Sequence, residues 1–164
     1  MIKEIGKFDV ELFYCEYKKI EPQIIWGYES TKGSQAALQY REGEDIWKGA
    51  VDRSKGNERE YNIINPIFKN TIFEAIIIEY NLKRTRFMWL NGFSCYSVHR
   101  DLTPRIHLPI CTNSQSFLIF KNSQMENLKA GIVYYADTRN FHTAMNGSDE
   151  RRLHLIGATD VLNF

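Results

Sequence analysis

Residues 131–157 read "GIVYYADTRNFHTAMNGSDERRLHLIG". Three short runs with strand character, "IVYYA", "HTAMN" and "RRLHLIG", are separated by stretches rich in Asp, Asn, Gly and Ser, the residues that turns favour. Regular short strands with turns between them predict a sandwich or barrel. The same texture reaches back to residue 85 through "TRFMWL", "SCYSV", "RIHLPI" and "SFLIF". A barrel is therefore expected from about residue 85 to the end, with consecutive strands alternating between two sheets.

Upstream the texture changes, although no linker divides the chain. Residues 1–17, with the run "FDVELFYCEY", are expected to form a strand that extends one sheet. Residues 30–62 are polar and carry Gly33, Gly43, Gly49 and Gly56, which predicts long surface loops, part of them able to act as a lid. "NPIFKNTIFEAIIIEYN" predicts a helix over 66–80 packed outside the barrel. Asn65 caps it, Pro66 suits its first turn, and Phe68, Ile72, Phe73, Ile76, Ile77 and Tyr80 recur at helical spacing. The expectation is one domain over 1–164, with an N-terminal strand, loops and supporting helix in 1–84 and a metal-binding barrel core in 85–164.

A chain of 164 residues can bury a core without disulfides or a structural metal, so a metal here serves function. Hydrophobic residues at 43% and charged ones at 25% fit a globular protein, and no apolar run approaches the roughly 20 residues of a membrane helix. The net charge of +1 gives no reason to expect nucleic acid or a membrane as partner. Cys15, Cys95 and Cys111 lack metal-ligand spacing and are expected as reduced, buried thiols. The opening "MIKEIGKFDVELFYCEY" lacks the layout of a secretion signal, so the expected location is cytoplasmic.

The chemistry concentrates in "SVHRDLTPRIHLPICTN", residues 97–113. In an extended segment residues i and i+2 share a face, so His99 and Asp101 can reach one ion together. A second histidine on a neighbouring strand would complete two imidazoles and one carboxylate on one face of a metal, the arrangement that suits ferrous iron and dioxygen. His142 stands where such a partner must lie.

The order of residues around His142 resembles the distal half of the aspartyl/asparaginyl beta-hydroxylase-like branch of iron(II)/2-oxoglutarate oxygenases, which includes the free-proline cis-hydroxylases. The likeness covers roughly residues 85–160: Gly131 opens a strand, Asp137 sits in the turn, His142 follows, and Arg152 comes ten positions later. The resemblance implies a mainly β, double-stranded β-helix (jelly-roll, cupin-like) barrel with one or a few supporting N-terminal helices. It implies His99, Asp101 and His142 as iron ligands and Arg152 as partner of the distal carboxylate of 2-oxoglutarate. A guanidinium fork matches a carboxylate and stays charged, which fits that role. Arg151 competes for it but faces the other way, with Leu153 and Leu155. The matching Arg-x-His-Leu segment makes Arg105 and His107 expected co-substrate residues, while His154 is left outside the site.

The resemblance further implies hydroxylation of an unactivated C–H bond with dioxygen, coupled to decarboxylation of 2-oxoglutarate to succinate. Asp101 favours hydroxylation over the halogenation of relatives that carry a small residue there. The expected substrate is a small molecule, a free amino acid ahead of an amino-acid side chain in a peptide. Two other classes stand beside this reading: a cupin-like metal enzyme that does not use 2-oxoglutarate, and a non-catalytic jelly-roll binding module.

Overall fold

A computed structural model describes residues 1–48, 50–51 and 57–160. Part of the expected lid (residues 49 and 52–56) and the last residues, 161–164, lie outside the described residues. In chain order the strands are β1 (Ile2–Lys7), β2 (Tyr28–Ser30), β3 (Gly33–Ala37), β4 (Gln39–Tyr40), β5 (Ile63–Ile64), β6 (Lys83–Leu90), β7 (Ser94–Cys95), β8 (Arg105–Cys111), β9 (Ser116–Phe120), β10 (Met125–Glu126), β11 (Ile132–Ala136), β12 (His142–Asn146) and β13 (Arg152–Ala158). Helix α1 (Val10–Ile20) follows β1, and α2 (Ile72–Glu79) precedes β6.

Two sheets make the barrel, one ordered β1-β11-β8-β13-β6-β3-β2 and the other β10-β9-β12-β7. From β6 onward the chain passes back and forth between them, as expected for a double-stranded β-helix. Period-2 alternation then divides the large sheet into two faces. Phe87, Trp89, Ile106, Leu108, Ile110, Leu153 and Leu155 point outward into a core completed by Phe13 and Tyr17 of α1 and by Phe73, Ile76 and Ile77 of α2. Burying these side chains is worth roughly 1.5–3 kcal/mol apiece and fixes which face looks inward. The inner face, carrying Arg86, Arg105, His107, Arg152 and His154, lines a cavity.

Three expectations upstream of residue 85 need correction. Residues 1–17 are not one strand: β1 pairs with β11 at the sheet edge, and α1 begins after Asp9, whose carboxylate accepts from the Leu12 N–H at 3.0 Å. The buried residues Phe13, Tyr17 and Ile20 recur at helical spacing, a signal hidden among the aromatic residues around them. The helix expected over 66–80 is two pieces. A single turn at Pro66–Phe68 ends where Asn70 takes φ 59°, and α2 restarts behind Thr71, which caps Phe73 N–H at 3.2 Å.

Residues 30–62 are not all loop, because β3 inserts into the large sheet against β6, Gly33 opposite Leu90 and Ala37 opposite Arg86. The large sheet thus draws β1, β2 and β3 from before residue 85. The cysteines also differ from expectation: Cys15 and Cys95 are exposed and Cys111 is half-buried. Cys15 lies on a helix, away from the buried positions 13, 17 and 20.

Candidate metal centre

His99 and His142 face each other across an antiparallel bridge, with the His99 N–H donating to the His142 carbonyl at 2.9 Å and the reverse bond at 2.8 Å. Their ring centroids are 4.5 Å apart. The Asp101 N–H donates to the Thr138 carbonyl at 2.9 Å, so the same pair of segments also fixes the carboxylate. Asp101 Oδ2 comes within 3.8 Å of His142 Nε2, and one ligand atom from each of the three residues lies within 4.8 Å of the others.

The tautomers follow from the neighbours. His99 Nδ1 is 2.8 Å from the Ser97 carbonyl and His142 Nδ1 is 3.0 Å from the Asn140 carbonyl. A carbonyl can only accept, so each Nδ1 carries a proton, which leaves Nε2 as the nitrogen a neutral ring offers to a metal. Burial holds His142 below the ordinary histidine range, in the neutral form that binds metal. His142 is buried and His99 exposed, so the set opens on one side. Two imidazoles and a carboxylate fit iron(II) with coordination positions to spare.

From this centre a cavity of about 640 Å³ extends along the inner face of the large sheet. Arg152 lies in its wall, buried, with Nη1 3.3 Å from Nε2 of His154. No acid among the described residues pairs with it, and burial lowers its pKa to about 10, so it is cationic at neutral pH. His154, left out of the site by the sequence reading, lines the same wall, almost wholly buried and held neutral by burial and by Arg152. Arg151 is exposed and its guanidinium lies 4.1 Å from the Trp89 ring centroid. It is outside the cavity, as the alternation of the strand required.

The two remaining expected site residues have different surroundings. His107 lines the cavity with both ring nitrogens buried and unpartnered, and burial followed by the charge of Arg152 keeps it neutral. Arg105 also lines the cavity, but its donors are engaged. Nη2 donates to Glu58 Oε1 at 2.7 Å and lies 3.0 Å from Asp101 Oδ1, while Nη1 donates to Glu58 Oε2 at 2.9 Å. Arg105 therefore orients the Asp101 carboxylate.

Glu58 was not foreseen. It enters from the polar segment, buried, and also accepts from Arg84 at 2.7 Å. Burial by itself would raise its pKa, but the charge and hydrogen bonds of Arg105, with Thr103 and Arg84, hold it down to about 2. No local pattern in "GNEREY" marks it. Arg86 was also missed, although an arginine alternating with Phe87 and Trp89 is a visible sign of an inward-facing cation.

The family model described as aspartyl/asparaginyl beta-hydroxylase matches residues 21–161. None of the curated proteins compared with the chain matches it. Among solved structures, an oxidoreductase of the 2OG-Fe(II) oxygenase family from Burkholderia pseudomallei is similar at TM-score 0.57 and 11% identity, over 96% of this chain and 86% of the other. HygX from Streptomyces hygroscopicus, solved with nickel, 2-oxoglutarate and hygromycin B bound, gives TM-score 0.54 and 10% identity over 98% and 83%. DMSP lyase DddQ from Ruegeria pomeroyi gives 0.55 and 9% over 98% and 69%. At such identities the likeness establishes the barrel, which an oxygenase and a lyase both use. The family match decides further: the chain belongs to the aspartyl/asparaginyl beta-hydroxylase family and is a hydroxylase of the 2-oxoglutarate-dependent kind.

Proposed function

We propose that the protein hydroxylates an unactivated C–H bond of a small amino-acid substrate in the cytoplasm, using iron(II), dioxygen and 2-oxoglutarate. The observation that carries this reading is the pairing, in one cavity, of an open His-Asp-His set with a buried arginine that lacks an acid. His99, Asp101 and His142 would hold the iron. When bound, iron supplies dioxygen activation coupled to decarboxylation of 2-oxoglutarate, giving succinate, carbon dioxide and the hydroxylated product.

The chain's own residues position and shield. Arg152 receives the far carboxylate of 2-oxoglutarate as a bidentate partner, in a wall where burial strengthens the pair. Neutral His154 supports the guanidinium without adding charge. His107 offers an unpartnered ring nitrogen to an oxygen of the co-substrate. Arg105, anchored on Glu58, keeps the Asp101 carboxylate turned toward the histidines. No protein nucleophile is needed.

A cupin-like enzyme using the metal without 2-oxoglutarate would leave the acid-free Arg152 without a role. The test is oxygen-dependent conversion of 2-oxoglutarate to succinate by iron-loaded protein, compared with His142→Ala. Succinate from the wild type alone supports the reading. Its absence with iron, oxygen and a panel of free amino acids present would sink it.

A further inference from the structure

The cavity holds a second buried arginine to which no acid among the described residues bonds, and the reaction described above leaves it unused. Arg86 lies on β6 opposite Ile156, which pairs on its other side with His107. Arg152 is four residues away along β13, a separation of about 13 Å at strand rise. Arg86 is only 8% exposed. Its Nη1 donates to Gln35 Oε1 at 3.0 Å, while its Nε is buried with no acceptor.

The nearby acids are committed elsewhere. Glu58 spends both oxygens on Arg105, Thr103 and Arg84, and Asp101 presents one oxygen to Arg105 and the other to His142. Arg84 and Arg105 add like charge around Arg86. Burial, followed by those two charges, lowers its pKa to about 9, which still leaves it cationic at neutral pH. A desolvated guanidinium with a vacant donor favours an incoming carboxylate, since charge-assisted bonds are strongest where water is excluded.

2-Oxoglutarate does not meet this demand, because the metal end and Arg152 account for its two carboxylates. A cavity of about 640 Å³ has room for a second small molecule beside it. We propose that Arg86, oriented by Gln35, is the subsite for the carboxylate of the primary substrate, which makes that substrate a free amino acid and not an internal residue of a peptide. The inference rests on the 2-oxoglutarate-dependent reading of the same cavity.

The test measures succinate formation by iron-loaded protein with each free L-amino acid, its α-carboxamide, and a short peptide holding the same residue internally. At least one free acid should stimulate turnover, and its carboxamide and peptide should not. Arg86→Gln should raise the half-saturating concentration of that acid by about thirtyfold or more. The half-saturating concentration of 2-oxoglutarate should not change, and Arg86→Lys should recover part of the loss. Equal stimulation by acid and carboxamide, stimulation by the peptide only, or no stimulation by any free acid overturns the proposal. So does an Arg86→Gln defect that falls on 2-oxoglutarate instead. The acid-against-carboxamide comparison needs only wild-type protein, so it decides the matter even if the variants fail to fold. Basal succinate without stimulation counts against Arg86 alone, whereas no succinate under any condition removes the hydroxylase reading as well.

Discussion

Glu58 and Arg105, 47 positions apart in sequence, meet in a buried two-bond ion pair of 2.7 and 2.9 Å. The same guanidinium reaches Asp101 at 3.0 Å, so a residue of the polar N-terminal segment helps to aim the carboxylate proposed to hold the metal. Partners one step removed from a metal typically change its affinity by about 10–100-fold. Glu58→Gln should weaken Mn(II) binding by that order, measured by calorimetry with Mn(II) as a redox-inert stand-in for iron. An unchanged Mn(II) affinity would show that Glu58 serves packing and not the metal site.

The acid limb of the stability curve should carry two separate contributions. His107 and His154 are held neutral by burial, so the unfolded chain takes up their protons first and stability declines as pH falls below about 6.5. Glu58 has its folded pKa lowered to about 2, so its contribution is complete above about 4.5 and is lost between there and about 2. That contribution is on the order of 3 kcal/mol. Urea unfolding from pH 7 to pH 3 should show both parts in the wild type. In Glu58→Gln the upper part should persist and the decline below pH 4.5 should be shallower, with Glu21, Asp45 and Asp137 left to contribute to it. A parallel decline in both proteins below pH 4.5 would contradict the assignment.

Asp101 is partly open, its side chain 20% exposed, and its buried partner Arg105 keeps both bonds to Glu58 without it. Asp101→Ala should therefore unfold within about 1 kcal/mol of the wild type. Its Mn(II) affinity and succinate production should fall at least about tenfold. Full metal affinity with full turnover would mean that the two histidines suffice.

How far the sequence could be read depended on the range of the interactions involved. From β6 onward, alternation of inward Arg105 and His107 with outward Ile106 and Leu108 is written in adjacent residues, and both faces were legible. The triad was legible because His99 and Asp101 share a face and His142 lies at a recognisable distance from Arg152. β3 was not, since "GSQAA" has little strand character and is held by its pairing with β6. The break in the helix at Asn70 turned on one backbone angle, φ 59°. Glu58 was beyond local reading altogether, because its partners come from residues 84, 103 and 105.

In the proposed function one cavity holds a metal at its mouth and the far carboxylate of 2-oxoglutarate at Arg152. Calorimetric titration of 2-oxoglutarate into Mn(II)-loaded protein tests it most directly, with Arg151→Ala as control because Arg151 lies against Trp89 outside the cavity. Removing one member of a buried charge pair costs about 2–5 kcal/mol, so Arg152→Ala should weaken 2-oxoglutarate binding by about thirtyfold or more. Mn(II) affinity should be unaltered, and Arg151→Ala should bind both as the wild type does. Equal 2-oxoglutarate affinity in the wild type and Arg152→Ala, or binding that does not require the metal, would contradict the account.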